Sequence, residues 1–110
     1  MPEFILNYFA FDKSTIKRFN DLEQDLHLYF TERNLHPENY EGDHLEFKGF
    51  YNEITIRDFP LRGKYVYLHL KRRKWLNKSS NEIVSRDWNE VAKGTRMTAE
   101  FSAFLKAINR

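Results

Sequence analysis

Four consecutive cations followed by an indole, Lys71-Arg72-Arg73-Lys74-Trp75, close a run from Tyr65 to Trp75 that alternates aliphatic with aromatic or charged side chains. Lys and Arg neutralise phosphate, and aromatic rings carry bases or sugars, so this pattern fits contact with nucleic acid. In a β-strand Val66, Leu68 and Leu70 share one face, while Tyr65, Tyr67, His69, Lys71, Arg73 and Trp75 share the other. One face would build core and the opposite one would be cationic and aromatic. The same alternation also describes a half-buried strand with a solvated basic end.

Further cations collect around this strand. Arg57 lies on the outer side of the preceding strand, Arg62 and Lys64 flank the loop between the two, and Lys78 and Arg86 belong to the next hairpin, with Lys93 and Arg96 beyond. Other chemistry is poorly provided for. His27, His36, His44 and His69 lack the close spacing that builds a metal site locally. The Ser and Thr residues sit in turns and caps with no nucleophile elbow, and the four glycines form no phosphate loop. Carboxylate pairs such as Asp21 with Asp25, or Glu38 with Glu41, fall in polar stretches where solvated charge accounts for them. The chain is therefore read as non-catalytic, with no metal and no cofactor.

The elements that must hold the cations follow from turn and periodicity signals. Pro2 and Glu3 suit the first turn of a short helix over Phe4 to Phe9. Phe9 to Lys17 is mixed, Asn20 and Asp21 suit a turn, and Asp25 to Asn34 reads better as a strand than as a helix continued from Leu22. Leu45 to Phe59 is extended, with Ile54 and Ile56 on one face and Thr55 and Arg57 on the other. Phe59 to Lys64, with Pro60 presetting the first turn dihedral and Gly63 allowing positive φ, makes a hairpin loop. After a polar turn at Asn77 to Asn81 the chain runs on through Glu82 to Trp88. This completes a three-stranded meander in which Trp75 and Trp88 would form a cross-strand pair. Asp87 caps one helical turn that Gly94 ends, and Thr98 caps an amphipathic helix with Phe101, Phe104, Leu105 and Ile108 on one face. The expected fold is α+β, a single domain over 1–110: a small antiparallel β-meander of about four to five strands, a short N-terminal helix and an amphipathic C-terminal helix.

At 110 residues there is room for one modest core, and ten Phe and six Tyr supply it with apolar area. The absence of cysteine removes disulfides and thiolate metal ligands. Met1 to Ala10 does not resemble a signal peptide and no apolar run suits a membrane span, so a cytoplasmic protein is expected. The net charge of +2 conceals an asymmetry. Residues 1–56 hold five Lys or Arg against eleven Asp or Glu, and residues 57–110 hold thirteen against five. Such a division suits nucleic-acid contact.

The order of residues also resembles a family. Lys48-Gly-Phe-Tyr-Asn-Glu-Ile-Thr-Ile-Arg57-Asp58-Phe59-Pro60-Leu61-Arg62-Gly63-Lys64, then Val66 to Leu70, Arg72 to Trp75, Val84 to Trp88, and Ala92 to Thr98 with Glu100 and Phe101, is similar to the N-terminal region of ISAon-type bacterial insertion-sequence transposases. The likeness is strongest over 48–108 and loose before it. It implies a non-catalytic module that recognises the double-stranded DNA at the ends of a mobile element during transposition. DNA-binding residues would be Arg57, Arg62, Lys64, Lys71, Arg72, Arg73, Lys74, Trp75, Lys78, Arg86 and Arg96. Related transposases carry cysteine pairs in a zinc-ribbon-like module; with no cysteine here, aromatic packing is expected to replace the metal. The resemblance further implies a separately encoded or excised module, with a catalytic transposase subunit as a second partner. A protein-interaction or regulatory role toward that subunit is the competing expectation, and single-stranded RNA suits the basic aromatic face equally.

Overall fold

A long hairpin, bent once in its middle, organises the molecule. The computed structural model describes residues 1–18, 20 and 23–109, and in it the chain forms seven strands and three α-helices. The helices are α1 (Glu3–Tyr8), α2 (Trp88–Lys93) and α3 (Ala99–Ile108); the strands are β1 (Phe9–Arg18), β2 (Gln24–Glu32), β3 (Leu45–Phe50), β4 (Ile54–Leu61), β5 (Lys64–Lys71), β6 (Arg73–Asn77) and β7 (Glu82–Val84). β4 pairs antiparallel with β5, opposing Ile54 to Leu70, and β3 pairs antiparallel with β6, opposing Phe50 to Arg73. Between these ladders the Tyr51 N–H donates to the Arg72 carbonyl (2.9 Å). Residues 45–77 are thus one two-stranded ribbon that leaves one sheet and enters another at Tyr51–Glu53 and Arg72. β2 joins one half of it in the order β1-β2-β5-β4, and β7 joins the other in the order β3-β6-β7.

The α+β class, the short N-terminal helix and the C-terminal helix are as the sequence indicates. The strand plan is richer. There are two sheets, and β2 runs parallel to β5, placing Leu26 beside Val66, Leu28 beside Leu68 and Phe30 beside Leu70. Parallel neighbours need a long crossover, and here residues 33–63, including all of β3 and β4, make it. Phe9 to Lys17, mixed in sequence, is an edge strand whose residues are exposed after Phe9. An edge strand that buries so little need not alternate. The turn expected at Asn20 and Asp21 lies partly outside the described residues, as does Leu22; within them, Asn20 Oδ1 accepts the Glu23 N–H (2.8 Å).

Pro60 does not start the hairpin turn. Arg62 and Gly63 form it, with φ of 50° and 76°, the paired positive dihedrals of the turn whose twist suits a two-residue hairpin. Pro60 occupies an irregularity between Asp58 and Leu61 on β4, an edge strand, where a missing N–H is tolerated. Glu82 to Trp88 is strand only to Val84. Asp87 then caps α2, accepting the N–H groups of Asn89 (3.1 Å) and Glu90 (3.2 Å), and Thr98 Oγ1 caps α3 by accepting the Phe101 N–H (3.1 Å).

The core lies under one face of the four-stranded sheet. Ile56, Val66, Leu68, Leu70 and Phe30 meet Phe4, Ile5, Phe9, Trp88, Phe101 and Phe104. Phe4 stacks on Phe101 with centroids 4.4 Å apart, and Phe9 stacks on Trp88 at 5.5 Å. These aromatic pairs hold α1, α2 and α3 against the sheet. None of the described helices is long and apolar enough to cross a membrane. The opposite face of the sheet is left to solvent.

Candidate nucleic-acid interface

The bend in the ribbon places the basic run. Residue 72 belongs to neither strand, so the alternation that starts at Tyr65 is interrupted there and resumes out of phase. Lys71 remains on the outer side of β5, but Trp75 turns inward and is only 2 % exposed, its Nε1 donating to Asn34 Oδ1 (3.4 Å). Trp75 opposes Val84 and Phe47, while Trp88 packs into the core from α2; they are no cross-strand pair. Burial removes Trp75 from any surface for DNA.

Arg86 is likewise withdrawn. Its Nε donates to Glu32 Oε2 (3.0 Å), Nη2 donates to the Leu35 carbonyl, and the guanidinium lies over the rings of Tyr8, Trp75 and Trp88. Glu32 Oε1 also accepts the backbone N–H of Arg73 (2.9 Å), and Arg73 Nε donates to the Glu32 carbonyl (3.3 Å). One buried carboxylate at the end of β2 therefore ties β6 to the segment before α2. Burial holds the Glu32 carboxyl above the usual range, against the opposing pull of the Arg73 N–H and of Arg86. Nothing in the local sequence distinguishes Glu32 from the neighbouring solvated carboxylates; only the fold brings it to Arg86.

The remaining cations of the run rest on rings from the facing strand. Arg72 and Lys74 lie over Tyr51 at 4.5 and 5.1 Å; Arg73 lies over Phe47 and Phe50 at 4.6 and 5.3 Å; Lys71 lies over Phe50 at 6.0 Å. Among the described residues none of the four forms an ion pair; the carboxylates that do are Glu53, Glu46, Glu32 and Glu90, paired with His69, Lys78, Arg86 and Lys93. Arg72 is half-buried with its Nε unpartnered, and burial pushes its guanidinium below its ordinary pKa.

From Lys71 the patch continues down the open face of the sheet as a column of stacked rings. Tyr29 stacks on His69 (4.3 Å), His69 on His27 (5.0 Å) and His27 on Tyr67 (5.0 Å), with Arg57 over Tyr67 (5.5 Å) and Tyr65 (4.6 Å) and Lys13 over Tyr29 (5.0 Å). Hydrogen bonds run through it. His69 Nδ1 lies 2.9 Å from Glu53 Oε2 and 3.1 Å from Thr55 Oγ1, and His69 Nε2 lies 2.7 Å from His27 Nδ1. His27 Nε2, on the far side of that ring, is left buried without a partner. Burial, then His69 and Lys17, lower the His27 pKa, and Asp25 opposes them. The sequence shows Tyr65, Tyr67 and His69 on this face, but Tyr29 and His27 reach it only through the parallel pairing of β2.

The other expected contacts are dispersed. Arg62 is exposed at the hairpin tip and Lys64 half-buried at its base, on the same side of β5 as the core residues; Arg96 is exposed between α2 and α3. Lys78 is paired with Glu46 at 3.3 Å on the surface. A cavity of about 490 Å³ between α1, residues 38–39 and α2 carries Glu38, Asp87 and Glu90, carboxylates that disfavour phosphate. No group of three or more potential metal ligands occurs among the described residues. Compared with known proteins, the chain matches no family model, no curated protein and no solved structure.

Proposed function

We propose that the chain is a non-catalytic DNA-binding module that grips the sugar–phosphate backbone where its two sheets meet. The observation that carries this reading is the set of Lys71, Arg72, Arg73 and Lys74, held on Phe47, Phe50 and Tyr51 with no ion pair among the described residues. Adjacent like charges, three of them half-buried, oppose folding and are relieved when phosphate approaches. Arg57 and Lys13 extend the same positive surface along the open sheet. The resemblance of residues 48–108 to ISAon-type transposase N-terminal regions supports double-stranded DNA at the ends of a mobile element as the partner. Phosphate contacts position such a module, and groups meeting base edges would give its sequence preference.

Fluorescence anisotropy of labelled duplex DNA at several salt concentrations tests this. The slope of log affinity against log salt should be near −0.9 per phosphate contacted, and replacing Lys71, Arg72 and Lys74 by Ala should flatten it by roughly two to three contacts. Arg73 is spared in that variant because its backbone and side chain tie down Glu32. Unchanged affinity would discard the patch as the interface. Docking onto a catalytic transposase subunit is the second reading, favoured by apolar side chains exposed toward the free end of the sheet: Phe59 (77 %), Leu61 (55 %) and Ile16 (54 %). Co-elution with that subunit that survives high salt would select it.

A further inference from the structure

At the hairpin end of the ring column the open face holds a cavity of about 350 Å³, lined among the described residues by Glu23, Gln24, Asp25, Arg57, Gly63, Tyr65 and Tyr67. That volume is at the small end of the roughly 300–1,000 Å³ typical of ligand pockets. Asp25 and Tyr65 are direct neighbours across the β2–β5 pairing, and Arg57 opposes Tyr67 across β4–β5. The Arg57 guanidinium reaches back over Tyr65 and spends one donor, Nη2, on the Tyr67 hydroxyl (3.1 Å). Its other N–H groups have no acceptor among the described residues. The Asp25 carboxylate, half-buried, makes neither an ion pair nor a side-chain hydrogen bond among them.

We infer that this cavity takes one guanine base whose Watson–Crick edge is free, deepening the nucleic-acid reading on which it rests. Asp25 supplies two acceptors and Arg57 supplies donors, on β2 and β4, either side of β5. The Arg57 guanidinium leans back over Tyr65, the direct neighbour of Asp25, so the acceptors and the donors line one cavity and can meet adjacent edges of a single base. Guanine presents two adjacent donors, N1–H and the N2 amino group, on one edge and two adjacent acceptors, O6 and N7, on another. Adenine would turn the acceptor N1 toward Asp25 and its amino group toward Arg57. Pyrimidines offer no such pair of donors. Tyr65, 51 % exposed, gives the base an apolar ring to lie against.

The test is anisotropy of labelled oligothymidylate carrying one central guanine, inosine or adenine, beside the unsubstituted oligomer and a duplex. Guanine should be held about tenfold more tightly than adenine, with inosine, which lacks the amino group, between them. Asp25→Asn should erase that ranking while leaving affinity for the all-thymine oligomer equal or higher, since a negative charge is removed. Equal binding of all the single strands by the wild-type chain overturns the guanine site and leaves the interface standing, as does a ranking that survives Asp25→Asn. Failure to bind any strand, duplex included, at low salt overturns both.

Discussion

Two buried ionisable side chains set opposite pH slopes on stability. His27 has a lowered pKa, so its contribution to stability is complete above the usual 6.5 and is lost as pH falls below that toward the folded value. Glu32 has a raised pKa, so its contribution is complete below the usual 4.5 and is lost as pH rises through the folded value. Urea denaturation of His27→Gln and Glu32→Gln across pH 4 to 7 separates them: the first should flatten the fall toward acid, the second the fall toward neutrality. Removing the Glu32 side chain altogether is a different matter, because Arg86 would remain buried and unpaired; Glu32→Ala should lose about 3–5 kcal/mol in the same measurement. Glu32 is also where sequence reading ends. Arg86 looks like one more surface cation until a carboxylate 54 positions away is folded against it.

Element boundaries were largely legible because they depend on local chemistry. Thr98 and Asp87 read as caps from type and position alone, and they accept the N–H groups expected of caps. Thr98→Ala should therefore cost about 1 kcal/mol by urea denaturation. The hairpin between β4 and β5 was legible in place, and Gly63 as its positive-φ residue; what the sequence misassigned was the start of the turn, which is Arg62 and not Pro60. A Cβ at residue 63 would meet nothing within 4 Å, so Gly63→Ala should cost only the strain of its positive φ, about 1–2 kcal/mol. The phase change at Arg72 was not legible. Alternation extrapolated through Lys71 to Trp75 puts Trp75 outside, and only the exit of the ribbon from one sheet into another turns it inward. The parallel alignment of β2 with β5 leaves no local trace either, as it depends on a crossover of some thirty residues rather than on a turn.

Across the whole molecule, 55 × 26 × 24 Å, the division of charge between the two halves of the sequence does not become two poles. β2, from the acidic half, lies between β1 and β5, so Asp25 and Glu53 share a face with Lys13, Arg57 and Lys71. What survives is the local concentration at the bend. Charges retained for a ligand work against the compact state, so Lys71→Ala with Lys74→Ala should leave the urea midpoint unchanged or higher while weakening duplex binding. A loss of stability above about 1 kcal/mol would mark these lysines as structural.

The bent ribbon also decides how the chain can go wrong. Because the same two strands are zipped into both sheets, a pairing error made at the Arg62-Gly63 turn cannot be confined to one of them. A slip of one residue along β5 and β6 would turn Leu68 and Leu70 to solvent in one sheet and Trp75 in the other, and drive His69 and Lys74 toward apolar surroundings. The buried residues of both sheets thus reject a single mistake, and the hairpin serves as the alignment gauge for the folding chain.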